Sequence, residues 1–287
     1  MIVDINDAEY SAEEYDKAYK AIYDAATMFA REREGKCAYL LAGQPGAGKS
    51  SFYSGNASLS GYVTIDGDAY RKYHPRYEDI VRYDLDNYAN RTQPFVNRVV
   101  EQLIGDLSSK GFNIIIEGTL RNPEVPIKTC ELLKSKGYEP QLVVIACDAE
   151  QSWKSTIHRA RLMQEIGEKP RLVPIDKYNT IVNNLPNSLD TIEDRKCFNG
   201  ISIISKDSEL LYRHGDKASP SEVLKNVLNL ESWNKQLDQH VQEYMQAKIE
   251  IIRKESERLH ERSNKQEFKQ EPVSRAHGEV WTCERER

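Results

Sequence analysis

Residues Gly43-Gln44-Pro45-Gly46-Ala47-Gly48-Lys49-Ser50 satisfy the pattern GxxxxGK[ST] in full and follow directly on the apolar run Cys37–Ala42. Glycines at 43, 46 and 48 let the backbone turn tightly enough for successive N–H groups to face phosphate oxygens. The helix that begins here adds a dipole favouring negative charge. Lys49 is then placed to reach the β and γ phosphates and Ser50 to ligate Mg²⁺, with Ser51 next in the same turn. A glycine-rich turn that happens to end in Lys-Ser is the plain alternative. Strand, loop and incipient helix arriving in the required order argue against it.

Two acids and a pair of basic segments complete the chemistry. Asp66-Gly67-Asp68 closes the run Tyr62–Ile65, and an acid at the carboxyl end of a parallel strand projects over a neighbouring phosphate loop. Asp68 is the general-base candidate, Asp66 the residue that would orient Mg²⁺ water or the loop. Taken alone, Asp-Gly-Asp is ordinary turn chemistry; beside a phosphate loop it reads as function. Glu117-Gly118-Thr119-Leu120-Arg121 ends the run Phe112–Ile116 and delivers a carboxylate, a hydroxyl and a guanidinium to the same crevice. Further on, Arg159 and Arg161 lie in a helical stretch and Lys169 and Arg171 in a Pro-bounded loop. Arginines on a closing lid can absorb the charge of a phosphoryl-transfer transition state, roughly 10³ to 10⁵ in rate. Residues at i and i+2 of a helix point apart, so at most one of Arg159 and Arg161 faces the site.

These groups need a rigid frame, and the apolar pattern describes one. Strand candidates Cys37–Ala42, Tyr62–Ile65, Phe112–Ile116, Gln141–Ala146 and Ile201–Ile204 alternate with helical stretches at 8–34, 94–107 and 125–136. That alternation predicts an α/β fold, a doubly wound and mostly parallel sheet of P-loop NTPase or kinase topology, with its crevice at the carboxyl ends of the strands. Residues 1–230 are expected to form the kinase domain, with its core over 35–215. A C-terminal helical extension follows: one long polar helix over 231–262 and a charged, mobile tail over 263–287. The chain has 287 residues, 39% hydrophobic and 30% charged, enough for one such core. A formal net charge of −5 leaves no basic footprint for nucleic acid. Cys37, Cys130, Cys147, Cys197 and Cys283 form no CxxC pair and read as reduced thiols. With an acidic N-terminus and no run of 18 apolar residues, the expected location is the cytoplasm, away from membranes.

GQPGAGKS, IDGDAYRKYHP, TQPFVNRVVEQLIGDLSSKGFNIIIEGTLR, VPIKTCELLKSKGYE and IVNNLP together resemble the zeta toxin family of bacterial toxin–antitoxin systems, over about residues 35–215. The resemblance implies an ATP-dependent, Mg²⁺-requiring kinase of UDP-N-acetylglucosamine that phosphorylates the 3'-hydroxyl of the amino sugar, and a small helical antitoxin as partner. It makes Asp68 the general base and Lys49 and Ser50 the nucleotide and metal contacts. Glu101, Glu117 and Thr119 would hold the sugar nucleotide, with Arg121 near its phosphates. Arg159 and Arg171 become the lid arginines. The stretch 51–61, interrupted by Gly55, departs from the family, as do residues 162–170 and everything after Leu230. Two other readings use the same parts: a P-loop kinase of another alcohol, such as an antibiotic or nucleoside, and a nucleotide-gated switch acting through the C-terminal helix.

Overall fold

The computed structural model describes residues 9–30, 36–54, 56–85 and 87–267, with side chains placed as far as residue 258. Cys283 and most of the charged C-terminal segment therefore lie outside the described residues. A six-stranded sheet runs in the order β2-β3-β1-β4-β5-β6. It comprises β1 (Cys37–Ala42), β2 (Val63–Ile65), β3 (Ile114–Glu117), β4 (Glu139–Ala146), β5 (Gly200–Ser205) and β6 (Leu210–Arg213). The first five pair in parallel and β6 is antiparallel to β5. Continuous apolar runs such as Ile114-Ile115-Ile116 suit strands covered on both faces, as parallel sheets require. Register aligns Ile65 with Ile116 and Leu41 with Glu117, and Ala42 with Val144 of β4, so the loops leaving β1, β2 and β3 emerge at one edge.

β6 was not among the sequence-predicted strands. It is a short edge strand reached through a turn in which Ser208 takes φ 69°, and Tyr212 anchors it by donating its hydroxyl to Glu193 at 2.7 Å. Too few residues alternate for periodicity to reveal it.

The helices on the two faces are α1 (Ala12–Thr27), α2 (Lys49–Ser54), α3 (Gly67–Tyr70), α4 (Tyr77–Tyr83), α5 (Tyr88–Arg91), α6 (Gln93–Ser109), α7 (Glu124–Ser135), α8 (Ala149–Glu165), α9 (Ile175–Arg195), α10 (Pro220–Leu228), α11 (Leu230–Lys235) and α12 (Leu237–Glu267). The first helix is shorter than the 8–34 expected, because a capping box between Ser11 and Glu14 starts it at Ala12 and its described part ends at Thr27. Tyr15 and Tyr19 dock it on α6, donating to Gln102 at 2.9 Å and Asp106 at 2.6 Å. Phe95, Val99, Leu103 and Leu107 form the inward stripe of α6 at helical spacing, and Leu185, Leu189 and Ile192 do the same on α9. Burying each such side chain contributes roughly 1.5–3 kcal/mol, so both stripes tie their helices to the sheet.

The predicted single helix over 231–262 is in fact two. The N–H of Gln236 bonds back to the carbonyls of Ser232 and Trp233, closing α11 before α12 begins. The bend lets Trp233 and Ala247 face one cluster with Trp153, Tyr178 and Val182 from α8 and α9. A separate cluster of Leu41, Ala47, Ile115, Val143 and Ile145 supports the loop after β1 from the opposite face of the sheet.

Candidate active site

The loop after β1 is moulded against the β4–α8 corner. Gly43 has φ 143°, and a Cβ there would stand 2.2 Å from the carbonyl oxygen of Ile145. At Gly46, with φ 80°, a Cβ would meet the Ser152 carbonyl at 2.1 Å. Both positions therefore exclude any side chain on conformational and steric grounds. Ala47 is fully buried and Pro45 half-buried. Lys49 opens α2 and donates its ammonium to the carbonyls of Gly43 at 3.1 Å and Gln44 at 3.2 Å. Burial lowers its pKa, with Glu117 pulling upward and Arg159 adding to the fall. Ser50 and Ser51 sit exposed in the first turn of α2, which stops at Ser54, in line with the interruption the sequence shows at Gly55.

On the facing wall, Asp66 ends β2 and caps α3, accepting from the Asp68 N–H at 2.9 Å. Its cap turns the chain so that Asp68 points into the crevice. There the Asp68 carboxylate is bound by Arg171 through Oδ2 and by Arg71 through Oδ1 at 3.1 Å. Burial raises the Asp68 pKa, but the two guanidinium groups outweigh it and the net shift is downward. Arg71 is the residue sequence reasoning missed. Its side chain is 7% exposed, and it also donates to the Ala89 carbonyl at 2.6 Å, Thr92 at 2.9 Å and Gln93 at 2.7 Å. Every donor direction is used, so Arg71 is a rigid bracket for Asp68. The only signal was an arginine three residues after the acid, which by itself is commonplace.

Glu117 ends β3 beside β1 and accepts from the Tyr53 hydroxyl at 2.7 Å. Burial pushes its pKa up, and Asp66 adds to the rise while Tyr53 and Lys49 oppose it. Tyr53 was also missed; it sits one turn beyond Lys49 and ties the phosphate loop to the third strand. Beyond Glu117 the backbone at Leu120 is held at φ 53° with its side chain buried, an unfavourable conformation for a bulky residue and one concentrated at functional loops. Thr119 and Arg121 flank this anchor, half-buried and exposed respectively. Glu101 is exposed on α6, one residue past Val100, whose side chain with that of Val96 packs against Gly67. Among the described residues no hydrogen bond or ion pair involves the Glu101, Thr119 or Arg121 side chain.

The pair Arg159 and Arg161 is resolved by geometry. Arg161 turns away to bond Glu250 of α12 at 2.9 Å. Arg159 is electrostatically coupled to the crevice groups: desolvation and the Arg171 charge lower its pKa, while Asp68 and Asp66 raise it. The structure thus gathers Lys49, Asp66, Asp68, Glu117, Arg159 and Arg171 around one crevice at the carboxyl ends of β1, β2 and β3, where strand order switches sides.

Comparison with known proteins agrees with this arrangement. The zeta toxin family model matches residues 20–217. The chain belongs to the zeta toxin family. A toxin zeta from Enterococcus hirae is 30% identical over 247 residues, 84% of this chain and 86% of that one. Toxin PezT of Streptococcus pneumoniae is 33% identical over 224 residues, 77% of this chain and 88% of that one. A solved chain from the PezAT chromosomal toxin–antitoxin system of the same species superposes with a TM-score of 0.70 at 29% identity, covering 84% of this chain and 100% of the other. The mostly parallel sheet with flanking helices is therefore the zeta toxin fold, and the family match includes every site residue named above. It ends just before α10.

The residues fit a nucleotide with its metal. The two glycines free the loop's N–H groups, and Lys49 bonds neutral carbonyls it can exchange for phosphate oxygens. No group of three or more His, Cys, Asp or Glu side chains among the described residues could hold a metal by itself. The Ser50 hydroxyl, with Asp66 nearby, suits a cation that takes its other ligands from phosphates and water. The four described cysteines are free. Among the described residues no helix is long and apolar enough to cross a membrane.

Proposed function

We propose that this protein is an ATP-dependent phosphotransferase acting on the 3'-hydroxyl of the amino sugar of UDP-N-acetylglucosamine, in the cytoplasm, as the toxin of a toxin–antitoxin pair. The observation that carries the reading is Asp68: a carboxylate at the end of β2, held between Arg71 and Arg171 within the same charged cluster as Lys49. A protein that only binds nucleotide has no need of an acid so placed. The solved PezAT relative supports the antitoxin partner, and the acceptor is what the family resemblance implies.

Asp68 accepts the proton of the acceptor hydroxyl as that oxygen attacks the γ-phosphorus. Its low pKa keeps it ionised and ready, and Arg71 keeps it oriented. For the transfer, Arg171 leaves Asp68 for the moving phosphoryl group, where with Arg159 and Lys49 it offsets the charge spread over the equatorial oxygens. That exchange both frees the base and neutralises the transition state. The Ser50 hydroxyl would hold Mg²⁺, which would supply neutralisation of phosphate charge. Glu117, Thr119 and Glu101 would hold the sugar nucleotide, with Arg121 near its phosphates, as the family resemblance implies.

Purified protein incubated with ATP, Mg²⁺ and UDP-N-acetylglucosamine should yield a product heavier by one phosphoryl group, resolved by mass spectrometry. Transfer to a different alcohol and not to this one would move the assignment to another small-molecule kinase. Absence of transfer to any acceptor, with ATP still bound, would favour a nucleotide-gated switch.

A further inference from the structure

Gln44 occupies a position in the phosphate loop that the nucleotide reading leaves without a task. Its side chain is fully buried, directed away from the crevice, and its Oε1 has no hydrogen-bond partner among the described residues. An unsatisfied buried acceptor is costly, so its amide nitrogen must serve a purpose. Nε2 donates to the Cys147 carbonyl at 2.7 Å and to Ser152 Oγ at 3.2 Å. Ser152 Oγ in turn meets the Tyr178 hydroxyl, which donates to the Ala149 carbonyl at 2.6 Å. Ser152 Oγ also lies 3.1 Å from the Asp148 and Ala149 carbonyls, so the two hydroxyls sit among backbone acceptors of the β4–α8 corner. Gln44 donates to Ser152, and the Ser152 and Tyr178 hydroxyls share a hydrogen bond with each other.

The chain continues through packed rings. Tyr178 lies 5.1 Å from both Trp153 and Trp233 between ring centroids, and Trp233 stacks on His240 at 4.3 Å and 10°. Trp233 is held in place by its indole N–H, which donates to Asn179 at 2.9 Å. Trp233 and His240 belong to α11 and α12, beyond the segment shared with the family model. The same β4–α8 corner that Gln44 grips is the surface against which Gly43 and Gly46 are moulded.

We propose that Gln44, Ser152 and Tyr178 are a positioning relay that sets the phosphate loop from behind, and that Trp233 of the C-terminal extension is its outer anchor. The C-terminal helices are then part of the nucleotide-binding apparatus without touching nucleotide. The inference rests on the phosphate loop binding ATP, as proposed above.

Tyr178→Phe tests it with little change in packing. ATP dissociation constants with Mg²⁺, measured by calorimetry on the full chain, should rise about tenfold, the scale of one lost buried hydrogen bond. At saturating ATP, kcat should stay within about twofold, since no group that meets the reacting atoms has changed. Trp233→Ala should act in the same direction, whereas Ile249→Ser, on the exposed face of α12, should leave ATP affinity unchanged. A purely structural role predicts a lower Tm for Tyr178→Phe with unaltered ATP affinity, and that result overturns the relay. Wild-type protein that binds no ATP would instead sink the reading of the loop, and this inference with it.

Discussion

The two walls of the crevice handle charge in opposite ways. On the β1 wall, Lys49 is hydrogen-bonded to neutral carbonyls, and burial drives its pKa down. On the β2 wall, Asp68 is gripped by two guanidinium groups that more than cancel the effect of burial. The first group is under-compensated and gains when a polyanion arrives. The second is over-compensated and gains nothing until Arg171 is drawn away. In the reaction proposed above, such a site would couple the release of its base to the arrival of phosphate.

The largest expected effect comes from deleting the base. Asp68→Asn should lower kcat by about 10² to 10⁴ in a phosphoryl-transfer assay while ATP binding persists. Turnover at the wild-type rate would end the contrast between the walls. Next come the arginines: Arg159→Ala should slow transfer by about 10³ or more, and Arg161→Ala should leave kcat at the wild-type value. Equal losses in the two variants would show that the bond between Arg161 and Glu250 matters as much as the crevice does.

The smallest effect is on stability against pH, and it separates two acids of the same crevice. The Asp68 pKa is lowered by folding, so its contribution is full above the ordinary carboxylate range and is lost as pH falls through the folded-state value. The Glu117 pKa is raised, so the fold favours its protonated form and gains stability as pH falls through the raised value toward the ordinary one. Thermal melts should therefore show wild-type protein gaining and then losing stability on acidification. Glu117→Gln should abolish the gain and keep the loss; a gain that survives the substitution would assign it elsewhere.

Much of this was legible in the chain. GQPGAGKS after an apolar hexamer, acids closing two further β-branched runs, and Arg171 in a Pro-bounded loop all announce a phosphate site, because backbone geometry and strand topology leave few other uses for them. β1 was bounded correctly at Cys37 and Ala42 because a short buried strand is a continuous apolar run. Less legible were β6, the break at Gln236 and the start of α1 at Ala12. In each, a turn or cap outweighed the apolar pattern. Arg71 and Tyr53 were invisible for a different reason: nothing in their own segments distinguishes them, and for Gln44 the motif was visible but the partners of its amide were not.

What the amino-acid order determined by itself was local: the loop that cradles phosphate, the alternation of strands and helices, and the acids at strand ends. These follow from torsional preference and periodicity within a few residues. Only the tertiary structure decided which arginine of a pair enters the crevice, that Asp68 rests between Arg71 and Arg171, and that Tyr178 and Trp233 stand behind the phosphate loop. Those contacts join residues tens to hundreds of positions apart, and what selects them is the fit of packed surfaces, which no single segment carries.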